Sequence, residues 1–176
     1  MTPTCTVMVG LPASGKSTRI DNLLFGYGAV DRPYVYSTDN ILERIAKQLG
    51  KTYNGVFDAH IKSAQLEADI MLADAIKHKM NIIWDQTNLA VGKRRKVLNR
   101  MKQAGYVVEC ECIEPPATDD DYAEWKKRLA GRPGKNIPDE IIERMMDTYV
   151  KPSLDEGFDA VAIFDLYGNL VSEERV

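Results

Sequence analysis

Residues 10–17, Gly-Leu-Pro-Ala-Ser-Gly-Lys-Ser, place two glycines in front of a lysine and a hydroxyl side chain. These residue types suit the binding of a phosphate chain, in which backbone N–H groups surround a phosphate, an ammonium reaches its terminal oxygens, and a hydroxyl holds a metal ion. The apolar run Thr4–Val9 precedes the loop as a strand, and Ile20, Leu23 and Leu24 give the stretch from about Gly15 to Phe25 a helical face. In that setting Gly10, Pro12, Ala13, Ser14, Gly15, Lys16, Ser17 and Thr18 are expected to bind ATP or another nucleoside triphosphate with Mg²⁺. Lys16 would reach the β- and γ-phosphates, and Ser17 the metal. A dinucleotide-binding turn fits poorly, because its glycine spacing differs and Lys16 would have no role. A glycine-rich turn opening a purely structural helix is the other alternative.

Two aspartates supply the acidic chemistry. Asp39 follows a second strand, about Arg32–Thr38, and Asp85 closes a third, Met80–Asp85. Ligands of parallel α/β sheets lie beyond the carboxyl ends of the strands, so both acids belong on the rim that carries Lys16. Asp39 is expected to orient an acceptor hydroxyl and take its proton. It also reads as the N-cap of a helix whose inward face is Ile41, Leu42, Ile45, Ala46 and Leu49, and the two roles are compatible. Asp85 opens Asp-Gln-Thr-Asn, where it, Thr87 and Asn88 can organise metal, water or loop backbone; a plain turn is the alternative. The segment Trp125–Pro138 is basic and rich in Gly and Pro, and Arg128 and Arg132 are its candidates for closing over a triphosphate.

The elements that must position these groups follow from periodicity. The 176 residues, 44% of them apolar, suit one domain, residues 1–176, with a lid at about 119–140. Helical patterns (about Val56–His78, Gly92–Ala104, Asp119–Ala130 and Pro138–Val150) alternate with strands, the fourth at Tyr106–Ile113 and the fifth at Asp159–Leu166. The order predicts an α/β fold around a parallel sheet of about five strands. The terminal stretch after Phe164 reads as a closing hairpin. No run approaches the roughly 18 apolar residues of a membrane span, and no signal-like core is evident, so a cytoplasmic chain is expected. Three cysteines form no disulfide or zinc pattern; Cys110 and Cys112, at strand spacing, read as packing. A net charge of −3 argues against a general nucleic-acid coat. Two local patches differ: residues 93–102 carry six basic side chains and residues 126–135 five, with no acid in either. Each is a solvated helix face or a contact surface for phosphates.

Gly-Leu-Pro-Ala-Ser-Gly-Lys-Ser-Thr, Ser-Thr-Asp-Asn (37–40), Trp-Asp-Gln-Thr-Asn (84–88) with the basic helix at Lys93–Lys96, Lys-Lys-Arg-Leu-Ala-Gly-Arg-Pro-Gly-Lys-Asn-Ile-Pro (126–138) and Leu-Asp-Glu-Gly-Phe-Asp-Ala-Val (154–161) follow one another in order. Together they resemble the P-loop polynucleotide 5′-hydroxyl kinase family, the kinase modules of bacteriophage enzymes above all, over almost the whole chain. The resemblance implies a nucleotide-kinase-like three-layer sandwich with a helical lid. It implies transfer from ATP to the 5′-OH of an RNA or DNA end, and a functional partnership with a nucleic acid ligase. Lys16 and Ser17 would serve the donor, Asp39 would be the base, Arg128 and Arg132 the lid arginines, and Asp85 would hold the donor side. Acceptor contacts would come from Asp39, Arg44, Thr87, Asn88, Arg94 and Arg95.

Two departures bear on the acceptor. Such phage enzymes often carry an arginine three residues after the base, where this chain has Leu42, with Arg44 two residues on. Their C-terminal phosphatase motif is also missing, since Tyr167 stands where its second aspartate would be. The alternatives are a kinase of a small molecule or nucleoside, a kinase acting on a hydroxylated base within DNA, and a nucleic-acid-binding module without turnover.

Overall fold

The computed structural model describes residues 2–176. Its strands are β1 (Thr4–Val9), β2 (Tyr34–Tyr36), β3 (Ile82–Trp84), β4 (Val107–Ile113), β5 (Ala160–Phe164) and β6 (Leu170–Arg175). Its helices are α1 (Lys16–Leu24), α2 (Thr38–Leu49), α3 (Tyr53–Lys77), α4 (Val91–Gln103), α5 (Asp119–Ala130) and α6 (Asp139–Thr148). The sheet order is β2-β3-β1-β4-β5-β6. The first five strands run parallel, and β6 returns antiparallel along β5. The expected sheet of about five parallel strands is therefore present, and the closing hairpin adds a sixth. All six residues of β6 are exposed, so it lacks the apolar alternation that marks a half-buried strand.

β1 is the central strand, and its period-two alternation builds both faces of the sandwich. Cys5, Val7 and Val9 pack with Leu42 of α2, Ala64 and Leu72 of α3, and Val97, Leu98 and Met101 of α4. Met8 points the other way, onto Ile20 and Leu24 of α1 and Ile83 of β3. Cys110 and Cys112 lie in the first of these clusters as buried packing residues. A third cluster, Leu11, Leu89, Trp125, Ile142 and Leu166, seats α5 and α6 against the loops at the carboxyl ends of the strands. Among the described residues no helix is long and apolar enough to cross a membrane.

The helix that carries Asp39 is capped differently from the expectation. Ser37 is the N-cap of α2, its Oγ accepting from Asn40 N at 3.3 Å. Asp39 falls in the first turn instead, where a negative charge suits the helix dipole and its carboxylate remains available for other partners. Gly50 ends α2 in the left-handed conformation.

Candidate active site

The loops after β1, β2 and β3 meet around a cavity of about 1260 Å³. Pro12–Thr18, Asp39, Asp85, Arg128, Arg132 and Lys135 all line it. Gly10 lies just beneath: a Cβ there would sit 2.8 Å from Ser14 Oγ and 3.2 Å from the Ile113 carbonyl, so the loop closes this tightly only on glycine. Gly15 leads into α1 at φ 109, a conformation that L side chains rarely adopt. Lys16 Nζ donates to the carbonyls of Gly10 at 2.8 Å and Leu11 at 2.9 Å, folded back across its own loop. Burial pushes its ammonium down to about 8, against the opposing pull of Asp85.

The Asp-Gln-Thr-Asn loop serves chiefly as a brace. Gly10 N donates to the Thr87 carbonyl at 3.0 Å, and Asn88 Nδ2 donates to the Met8 carbonyl at 2.8 Å. Asn88 is buried and sits at φ 47, a left-handed turn that asparagine tolerates well. Both residues line the cavity, and their polar groups hold the phosphate loop to β3. Asp85 lines the cavity as well. Burial lifts its carboxyl above the usual range, while Lys16 and a hydrogen bond from Ser37 pull it back.

Asp39 is held from two sides. Its Oδ1 accepts from Tyr53 Oη at 2.7 Å and its Oδ2 from Lys135 Nζ at 2.7 Å. Burial would raise its carboxyl, but Lys135, Tyr53 and the charge of Arg132 together leave it below the ordinary value. The two rim carboxylates thus shift in opposite directions, Asp39 downward and Asp85 upward.

Two buried polar atoms among the described residues, Ser14 Oγ and Arg132 Nη1, have no hydrogen-bond partner. Both residues line this cavity. An acceptor-rich anion between them would satisfy both, and with the glycine-shaped loop this fits a phosphate chain. Hard oxygen donors at Ser17 and Asp85 fit Mg²⁺, and the described residues hold no cluster of three or more His, Cys, Asp or Glu suited to another metal. Arg128 donates to Glu124 Oε1 and to the Leu166 carbonyl, both at 2.8 Å, while lining the cavity.

Two expected acceptor contacts, Arg94 and Arg44, are committed to other partners. Arg94 is wholly buried: Nε and Nη2 donate to Glu156 at 2.8 and 2.6 Å, and Nη1 to the carbonyls of Asn88 and Leu89 at 3.0 and 2.8 Å. It precedes Val97, Leu98 and Met101 by three, four and seven residues, which puts it on the inward stripe of α4, a spacing readable in the sequence. Arg44 pairs with Glu67 at 2.7 Å on the outside of the α2–α3 pair. Five residues of helix turn it about 140° from Asp39. Arg95 is exposed on α4 and does not line the cavity, whereas its neighbour Lys93 does. Sequence reasoning passes over Lys135, Tyr53 and Ser37; the first stands in the basic lid run, and the last lies two residues before the expected cap.

Residues 6–152 match the family AAA_33, an AAA domain, and the chain belongs to that family. Its fold is shared by a chain of the PezAT chromosomal toxin-antitoxin system of Streptococcus pneumoniae (16% identity, TM-score 0.66, covering 98% of this chain and 71% of that one). A candidate kinase from Chloroflexus aurantiacus is similar (16%, 0.63, 94% and 89%). So is Chaetomium thermophilum Kti12, solved in complex with ADP-AlF3 (22%, 0.53, 92% and 88%). The protein is a P-loop domain of kinase-like architecture.

Proposed function

We propose that this AAA-domain chain transfers the γ-phosphate of ATP to a hydroxyl, and that its acceptor is the 5′-OH of a polynucleotide end. One observation carries the kinase reading: Lys16, the ionised Asp39 and the lid cations Arg128 and Arg132 all face a single cavity. An acceptor hydroxyl at Asp39 would be oriented by the carboxylate and give up its proton there as its oxygen bonds to the γ-phosphorus. Lys16 and the two arginines would carry the charge that builds on the transferring group, and Mg²⁺ held by Ser17 with Asp85 would withdraw more of it. The complex of Kti12 with ADP-AlF3 supports a nucleotide in the equivalent fold.

The polynucleotide acceptor rests on the cavity mouth. Lys93 lines it, and Arg95 and Lys96 follow on the exposed face of α4, none of the three in a salt bridge among the described residues. Free cations leading away from the site suit the phosphates downstream of a 5′ end. A small hydroxylated acceptor is favoured by a different observation: Asp39, Glu43 and Asp58 make the acceptor end of the cavity acidic.

Asp39→Asn separates kinase from binding module. The variant should bind ATP normally and lose roughly 10²-fold or more in transfer from γ-labelled ATP to a 5′-OH oligonucleotide. Transfer at the wild-type rate would remove Asp39 from the mechanism, and transfer by the wild type to nucleosides or sugars alone would replace the polynucleotide with a small acceptor.

A further inference from the structure

The turn between α5 and α6 is fastened to the start of α3 at several points. Asn54 N donates to the Gly134 carbonyl at 3.1 Å, Asn54 Nδ2 to the Asn136 carbonyl at 2.9 Å, and Asn136 N to Asn54 Oδ1 at 3.2 Å. Gly134 lies so close to Thr52 that a Cβ would sit 2.7 Å from the Thr52 Cβ. This fastening delivers Lys135 to Asp39. Its side chain is only 11% exposed, its ammonium is 4.1 Å from the centre of the Tyr53 ring, and it bonds Asp39 Oδ2 at 2.7 Å and Glu43 Oε1 at 3.1 Å. With Tyr53 on Oδ1, each oxygen of Asp39 has a donor already in place.

We propose that Lys135 is an internal stand-in for the acceptor: its ammonium occupies the place at Asp39 Oδ2 that the acceptor hydroxyl takes, and keeps water from being activated there until an acceptor displaces it. The inference rests on Asp39 being the base of the proposed reaction. Any kinase that keeps ATP beside a free carboxylate risks hydrolysis. A water at Oδ2 gives its proton to Asp39 as its oxygen bonds to the γ-phosphorus. The bond from that phosphorus to the bridging oxygen breaks, and ADP and phosphate leave. An ammonium at Oδ2 donates hydrogen bonds and cannot be the attacking atom while protonated, so it blocks the step without imitating it. Glu43 makes the device reversible. It lies four residues after Asp39 on α2, on the same face, and already shares Lys135, so the ammonium can yield Oδ2 to an acceptor without losing every partner.

The decisive experiment is acceptor-free ATP hydrolysis, which does not depend on what the acceptor is. Lys135→Met keeps the apolar stem against Tyr53 and removes the charge. It should raise hydrolysis roughly ten- to a hundredfold, the bias that a hydrogen bond to a charged group imposes. Lys135→Arg should keep hydrolysis near the wild-type level, and Asp39→Asn combined with Lys135→Met should abolish the rise. A 5′-OH oligonucleotide added to the wild type should increase ATP consumption only in step with phosphorylated product. Unchanged hydrolysis in a folded Lys135→Met protein would overturn the proposal. So would loss of transfer without gained hydrolysis, which would make Lys135 a contributor to transfer itself. A rise that survives Asp39→Asn would overturn it as well. Normal transfer by Asp39→Asn alone would refute the base assignment, a distinct result.

Discussion

Arg94→Met is the substitution on which the two views of the basic helix differ most. A solvent-facing arginine that touches an acceptor would cost acceptor affinity and almost no stability. The structure gives Arg94 no exposure, two bonds to Glu156 and two to the carbonyls that turn the Asp-Gln-Thr-Asn loop. Removing the guanidinium strands a carboxylate whose side chain is 10% exposed, together with two buried carbonyls. Breaking one side of a buried pair costs about 3–5 kcal/mol, a large part of the roughly 5–15 kcal/mol that holds a domain together. At about 2–4 °C per kcal/mol for a chain of this size, the melting temperature should fall by roughly 6–20 °C. Urea unfolding with a constant m-value would give the free energy directly. Arg94→Met with Glu156→Leu should recover at least about half of the loss, because an apolar pair leaves no charge stranded. A loss below about 1 kcal/mol, together with a raised KM for the oligonucleotide, would refute the buried role and restore Arg94 to the acceptor surface.

Lys16→Met should abolish transfer yet stabilise the free protein at pH 7. With its folded pKa at about 8 against an ordinary 10.5, the unfolded chain binds more protons between those values, so stability rises with pH across that window and the cost of the buried charge is full below about pH 8. With the residue intermediate in exposure and the Gly10 and Leu11 carbonyls losing their donor, the gain expected at pH 7 is about 1–2 kcal/mol, shrinking toward pH 10.5 in parallel urea titrations; a destabilised variant at pH 7 would contradict it. On the exposed side of α4, Arg95→Glu with Lys96→Glu should raise KM for an oligonucleotide, flatten the slope of log affinity against log salt by roughly 0.7 per lost phosphate contact, and leave KM for ATP unchanged. Unaltered kinetics would mark those residues as a solvated helix face.

The sheet and the phosphate loop are readable in the sequence because local signals and tertiary demands agree there. Apolar alternation in Thr4–Val9, glycines where a Cβ has no room and a helical stripe after Lys16 all point to one arrangement. Where the sequence misleads, local signals compete or fall silent. Ser37 and Asp39 are both good caps two residues apart, and the strand end decides between them. The charge of Arg94 places it with a basic run, although its position is an inward one. Lys135 belongs visibly to the lid, but its partner is 96 residues away, a pairing that no local pattern encodes.

That distant pairing shows how residues 125–135 distribute their cations. Trp125 of α5 is fully buried and donates its indole N–H to the Pro12 carbonyl at 2.8 Å, so this helix is rooted on the phosphate loop itself. Arg128, one turn further along, is fixed by Glu124 and the Leu166 carbonyl. Beyond Gly131, where α5 ends, Arg132 has an unpartnered buried Nη1, and beyond Gly134, in a left-handed turn, Lys135 reaches Asp39. The short turn therefore joins a helix anchored to the loop after β1 with a cation resting on Asp39, and both ends are held by hydrogen bonds. A turn built this way sets the spacing of Arg128, Arg132 and Lys135 around one cavity.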